Sequence, residues 1–77
     1  EPVRIETGAV VEGSTVGPNV VIGAGTSVKG STLRDTVVGD KSTLDGCALH
    51  DSMIGDAVIL EGVSGAVTIG DHSEVRR

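Results

Sequence analysis

Large aliphatic residues recur every five or six positions along almost the whole sequence. They are Ile5, Val11, Val16, Ile22, Val28, Leu33, Val38, Leu44, Leu49, Ile54, Leu60, Ile69 and Val75. An α-helix would repeat at about 3.6 residues and an ordinary strand at about 2, so neither explains this spacing. A fixed internal repeat is typical of a solenoid, in which each unit packs against its neighbours in the stack.

Three such units make one coil, because pairs of an aliphatic residue and a glycine return at a nearly constant interval. The pairs are Ile22-Gly23, Val38-Gly39, Ile54-Gly55 and Ile69-Gly70, which are sixteen, sixteen and fifteen residues apart. Successive coils also match in sequence, since RDTVVGD at 34–40 returns as HDSMIGD at 50–56. The pattern predicts three short strands per coil, with equivalent strands paired in parallel about 4.8 Å apart.

A second column of the repeat holds small or β-branched residues four positions after most aliphatics. Its members are Ala9, Thr15, Val20, Thr26, Thr32, Val37, Ser42, Ala48, Val58, Ser64 and Ser73, with Met53 as the one larger side chain. The segment at 62–67 breaks the rhythm, so the sequence leaves the course of the third face there open. A coil cannot seal its own aliphatics from water, and the end coils around Ile5 and Val75 are therefore expected to be the weakest.

Composition agrees with thin, repeated layers. The chain has no aromatic residue, so its apolar side chains are Val, Ile, Leu and Ala in the main, and it has twelve glycines. That many glycines predicts backbone positions that need a positive φ or a close approach of two segments.

Charge and cysteine usage exclude several classes of function. The net charge is -5 and the six basic residues are scattered, which argues against a nucleic-acid or anionic-membrane surface. Cys47 is the only cysteine, so an internal disulfide is impossible. No apolar run approaches the roughly 20 residues of a membrane helix, and the start of the chain lacks the features of a signal peptide. We therefore expect a cytoplasmic protein.

The repeat resembles the hexapeptide motif of left-handed parallel β-helices. The sequence at 13–23, 31–39, 51–56 and 69–75 is similar to the C-terminal β-helix of sugar-phosphate nucleotidyltransferases, most of all to that of long-form glucose-1-phosphate thymidylyltransferases. The resemblance implies an all-β fold, a single left-handed parallel β-helix of about four to five coils that occupies residues 1–77. The left hand comes from the resemblance alone, because crossover connections are generally right-handed.

The same resemblance implies a non-catalytic structural or oligomerisation domain, and a homo-oligomer is expected. The parent enzyme would make an NDP-sugar, such as dTDP-glucose, from a nucleoside triphosphate and a sugar 1-phosphate, with Mg²⁺ in an N-terminal catalytic domain. None of that domain's motifs is present in residues 1–77, and the chain starts without Met, so the sequence is interpreted as a fragment. No catalytic, cofactor-binding or metal-ligating residue is carried over to this chain, which is not expected to be an enzyme by itself.

Several side chains still deserve comparison with known sites. His50 and His72 lie on different predicted faces, so we do not expect them to converge on a metal or to act together. Asp35 should stack with Asp51, and Asp40, Asp56 and Asp71 should form another acidic column; turn propensity explains both columns better than a bridging cation does. Cys47 is interpreted as an unreactive thiol three positions past Leu44 on the second face, and Gly23-Ala24-Gly25 as a turn rather than a phosphate loop. Glu12, Lys29, Asp45 and Glu61 are expected to form a surface column with partly alternating charge.

Two other functions stay open at this point. A hexapeptide-repeat acyltransferase would use a histidine base, although such enzymes carry an extended loop and more coils. A structural repeat scaffold would stack its coils end to end.

Overall fold

Twelve short strands, all paired in parallel, wind into a β-helix of about five coils in the computed structural model, which describes residues 3–76. The strands are Val3–Ile5 (β1), Val10–Glu12 (β2), Thr15–Val16 (β3), Val20–Ile22 (β4), Ser27–Lys29 (β5), Thr32–Val38 (β6), Thr43–Asp45 (β7), Ala48–Ile54 (β8), Ile59–Glu61 (β9), Ser64–Gly65 (β10), Thr68–Ile69 (β11) and Glu74–Arg76 (β12). Residues 3–76 contain no helix that is long and apolar enough to cross a lipid bilayer. The predicted all-β parallel β-helix is confirmed.

The coils present three faces. The first contains β1, β4, the ends of β6 and β8, and β11; the second contains β2, β5, β7, β9 and β12; the third contains β3, the starts of β6 and β8, and β10. Strands β6 and β8 run round the corner from the third face to the first, where Asp35 and Asp51 take positive φ values of 49° and 48°.

The strand register stacks the aliphatic columns as the repeat predicts. Ile22 pairs with Val38 and Val38 with Ile54, so these three side chains lie one above another on the first face. Val28, Leu44 and Leu60 form the second column, and Leu33 and Leu49 lie in the third. All eight are buried, and each is worth about 1.5–3 kcal/mol relative to exposure.

The end coils are less well covered, as expected. Ile5 is 48% exposed in the first coil, whereas the equivalent Ile22 in the second is fully buried. Val75, in the last coil, is only partly buried. Burial thus depends on having a coil on both sides.

The small-residue column requires a correction. The second inward side chain lies two positions before each aliphatic, because alternate residues of a strand point to the same side. These buried residues are Val20, Thr26, Ser31, Thr36, Ser42, Cys47, Ser52, Val58 and Val63. In a unit of five residues, the residue four positions after the aliphatic therefore lies one position past the inward residue and points outward. The residues in these places are exposed, namely Thr15, Thr32, Val37, Ala48, Met53 and Ser64.

The irregular segment at 62–67 has a simple structure. Val63 is buried and Gly65 pairs with Leu49, so glycine occupies the place of the third-face aliphatic. The third aliphatic column therefore ends at Leu49, and the third face of the fourth coil forms only the two-residue strand β10.

Candidate functional site

The corner between the first and second faces carries three stacked aspartates, Asp40, Asp56 and Asp71, here called the aspartate ladder. Asp40 Oδ1 accepts a hydrogen bond of 2.9 Å from the backbone N–H of Ala24 in the preceding coil. Asp56 Oδ1 accepts from Asp40 N–H at 2.9 Å, and Asp71 Oδ1 from Asp56 N–H at 2.8 Å. The predicted acidic column therefore exists, and each carboxylate ties its coil to the one before it.

Glycine makes room for each of these carboxylates. A Cβ on Gly39 would collide with Asp56 Oδ1 and would lie 2.7 Å from the carbonyl carbon and oxygen of Gly55. Gly23 and Gly55 face the same obstruction from the coil that follows each of them. The repeated Gly-Asp pair is thus one structural unit: glycine in one coil receives the aspartate of the next.

Three turn positions at the corner between the third and first faces are also structural. Asn19, Asp35 and Asp51 all have positive φ, a conformation that Asn and Asp tolerate better than most residues. Asn19 Nδ2 donates to Asp35 Oδ1 at 3.0 Å, and Arg34 lies 3.5 Å from Asp35 Oδ2. Asp51 Oδ2 lies 3.0 Å from His50 Nδ1.

The histidines lie at different corners and in different coils. His50 is on β8 between the third and first faces, and its imidazole is 42% exposed beside Asp51. His72 is at the corner of the aspartate ladder, where φ is 61° and its backbone N–H donates to Asp56 O. Within residues 3–76 no group of three or more His, Cys, Asp or Glu side chains is placed to hold a metal ion.

Cys47 belongs to the core rather than to an exposed turn. It is 2% exposed and occupies the small inward position at the start of the third face, so its assignment to the second face was wrong. The reason is the register described above, in which the inward residue is counted back from Leu49. Its Sγ lies 3.6 Å from the carbonyl oxygens of Asp45 and Leu60.

Buried hydroxyls in the same inward column bridge successive coils. Thr26 Oγ1 donates to Gly39 O at 2.6 Å and accepts from Ser42 N–H at 3.2 Å. Ser42 Oγ repeats this pattern with Gly55 O and Val58 N–H. In the described part of the chain no buried side-chain oxygen or nitrogen lacks a partner, so the interior holds no unsatisfied polar group aimed at a ligand.

The charged column on the second face runs from Glu12 through Lys29, Asp45 and Glu61 to Arg76. Among residues 3–76 the ion pair in this column is Arg76 with Glu61, at 2.9 Å. A hydrogen bond to Glu74 and the nearby Glu61 carboxylate raise the pKa of Arg76 above its ordinary value. Gly23-Ala24-Gly25 forms the predicted turn, with Gly25 at a φ of 69° and the Ala24 N–H bonded to Asp40.

The outer surface of the first face carries an apolar stripe, defined as Val21, Val37 and Met53. The strand register aligns the three side chains across β4, β6 and β8. Val37 is 43% exposed and Met53 61%, and Arg4 and Thr68 lie at the two ends of the row. The outer row of the third face, Thr15, Thr32, Ala48 and Ser64, is small and mostly polar.

Sequence reasoning missed this stripe because it counted Val37 and Met53 with the small column. Alternation within β6 and β8 would have found them, since each lies between two inward residues.

Comparison of the chain with protein-family models and with curated proteins found no match. The parallel β-helix is therefore established by the structure, while the likeness to sugar-phosphate nucleotidyltransferases consists of the repeat motif in the sequence.

Proposed function

We propose that the chain is a non-catalytic β-helix module of a sugar-phosphate nucleotidyltransferase and that its apolar stripe joins it to a second copy of itself. The observation that carries the assembly role is the stripe of Val21, Val37 and Met53, which the strand register aligns on the outer surface of the first face. Contiguous apolar surface on a rigid sheet is typical of an interface.

A second copy fits the stripe for two reasons. The row is apolar in its middle coils, so it is complementary to itself, and methionine adapts its shape to an opposing surface. Arg4 lies at one end of the row and Thr68 at the other, so an antiparallel pair places each Arg4 opposite Thr68 and away from the other arginine.

The nucleotidyltransferase assignment is supported by the resemblance of the repeat. In the parent protein a nucleoside triphosphate and a sugar 1-phosphate would give an NDP-sugar and pyrophosphate, with Mg²⁺ bound in the separate catalytic domain. The module contributes no reacting group, which agrees with the structural hydrogen bonds made by its aspartates. Left-handed winding and cytoplasmic location stay predictions of this proposal.

The interface is tested by Met53→Glu against Ala48→Glu. Both positions are exposed on β8, but only Met53 belongs to the apolar stripe. Size-exclusion chromatography with light scattering over a concentration series should show self-association of the chain. We expect Met53→Glu to raise the dissociation constant of self-association at least about tenfold, which is 1.4 kcal/mol. Ala48→Glu should leave that constant unchanged. A chain that stays monomeric, or equal effects of both variants, would refute the interface.

The enzymatic parent is tested separately. The polypeptide that carries residues 1–77 should release pyrophosphate from a nucleoside triphosphate and a sugar 1-phosphate. Deleting these residues should lower its subunit number or the stability of its catalytic domain. Absence of pyrophosphate release contradicts the family assignment without affecting the interface.

One observation favours the acyltransferase alternative, namely the exposed pair of His50 and Asp51 at 3.0 Å. Calorimetric titration with acyl-CoA donors distinguishes the two functions. Heat that disappears in His50→Ala and persists in His72→Ala would support an acyltransferase, whereas our proposal predicts no heat in the unchanged chain.

A further inference from the structure

The C-terminal end of the β-helix repeats the geometry of the aspartate ladder. Gly23, Gly39 and Gly55 are each covered by the aspartate of the following coil. At Gly70, apart from Gly70 itself and its two chain neighbours, no atom of residues 3–76 lies within 4 Å of the place that a Cβ would occupy. Gly70 is followed by Asp71, just as Gly39 is followed by Asp40 and Gly55 by Asp56.

The backbone amide of Asp71 continues the same series. The amides of Ala24, Asp40 and Asp56, each next to one of these glycines, donate to the aspartate of the following coil. Ile69 and Val75 beside this end are only partly buried, although their equivalents in the inner coils are fully or almost fully covered. The last coil therefore offers an amide, an open glycine and two incompletely covered aliphatics on one surface.

The N-terminal end lacks the matching part. The first coil has Glu6 in the place of the glycine and Thr7 in the place of the aspartate, as the pairing of Ile5 with Ile22 shows. The second coil has Ala24 in the aspartate position, so no carboxylate reaches back over Glu6. Glycine thus occurs where an aspartate follows in the next coil, and Glu6 occurs where none does.

We infer that the C-terminal end of the fifth coil is a docking surface for a further parallel coil of the same repeat, in series with it, that carries an aspartate at the position of Asp71. Its carboxylate passes over Gly70 and accepts from Asp71 N–H. Its strands extend the open backbone edges of β11 and β12, as in β-strand addition. The first coil of a second copy does not fit, because Thr7 provides no carboxylate in that position.

The test adds one coil to the chain. A copy of residues 31–46 after position 77 keeps the register, because Arg76 pairs with Glu61 and position 77 then corresponds to Gly62. Arg77→Gly is made in every variant, since Gly30, Gly46 and Gly62 at this corner have positive φ. The added copy of Asp40 is kept in one variant and changed to Ala in another, and each is made with Gly70 and with Gly70→Ala. Amide hydrogen exchange at Asp71 and the melting temperature are measured.

We expect the added coil with Asp to slow exchange of the Asp71 amide at least tenfold relative to the added coil with Ala, and to raise the melting temperature. Gly70→Ala should remove both effects in the extended chain and change neither quantity by itself in the chain of 77 residues. Equal protection with Asp and Ala overturns the inference, as does an added coil that never orders. Concentration-dependent association of the 77-residue chain that Gly70→Ala abolishes would identify a second copy as the occupant and would also overturn it.

Discussion

At the scale of single residues, the repeat is held by partners that lie one coil apart in sequence. Gly39 is required by Asp56, and Gly55 by Asp71, because each carboxylate crosses the backbone of the coil before it. The backbone N–H of the residue after each glycine donates to this carboxylate, and hydrogen bonds to a charged group contribute about 1.5–3 kcal/mol. The role of Gly23, Gly39 and Gly55 is therefore decided by the aspartate stacked on each of them.

Gly39→Ala and Gly70→Ala provide a matched test of that rule. Gly39→Ala should destabilise the chain by about 3 kcal/mol, because the new methyl overlaps Asp56 and the backbone of Gly55. Gly70→Ala should change the free energy of unfolding by less than about 0.5 kcal/mol, since its Cβ enters open space. Urea denaturation followed by far-UV circular dichroism measures both. Equal losses of stability would contradict the coupling of glycine to the following aspartate.

At the scale of the strand, alternation decides which side chains are buried, even against their polarity. In β6 the polar Thr36 is fully buried, while the apolar Val37 beside it is 43% exposed. Thr36 is accommodated because its hydroxyl donates to Arg34 O at 2.7 Å. Hydrophobicity alone would have placed these two residues the other way round.

This register predicts that glutamate is tolerated less well at the polar Thr36 than at the apolar Val37. Thr36→Glu should destabilise the chain by more than about 4 kcal/mol, because it places an unpaired carboxylate in the core. In the monomeric chain Val37→Glu should cost at most about 1 kcal/mol, the span of strand propensities. Thermal melting of the two variants measures this difference. If Thr36→Glu were more stable than Val37→Glu, the side chains of the strand would have to face the opposite way, with Val37 inside and Thr36 outside.

The sequence was sufficient to predict the strands, the coil length and the aliphatic columns, because stacking forces equivalent side chains into line. It did not predict that Thr32 and Met53 point outward between two inward neighbours. A unit of five residues has one residue fewer in its turn than a unit of six, so counting forward from the aliphatic residue passes the inward position. It also did not predict the hydrogen bonds of Asp40 and Asp56. Those depend on the vertical offset between coils, which the spacing of residues along the chain does not record.

At the scale of the whole molecule, stability should vary along the axis of the stack. Each inner coil is sealed on both sides, whereas the first coil leaves the inward Val3 40% and the inward Ile5 48% exposed. In a solenoid, stability is approximately a sum of coil energies and contacts between neighbours. The same substitution should therefore have different costs in the middle and at the end.

Ile22→Ala and Ile5→Ala test this gradient with one side chain in one column. Ile22 is fully buried between two coils, so its truncation should cost about 2–5 kcal/mol. Ile5 is half exposed and should cost about 1 kcal/mol or less, because little of its surface is removed from water. The midpoints of urea denaturation give both values when the slopes stay equal. A loss at Ile5 as large as that at Ile22 would show that the first coil is covered in solution, and the covering group would then have to lie at the N-terminal end of the stack.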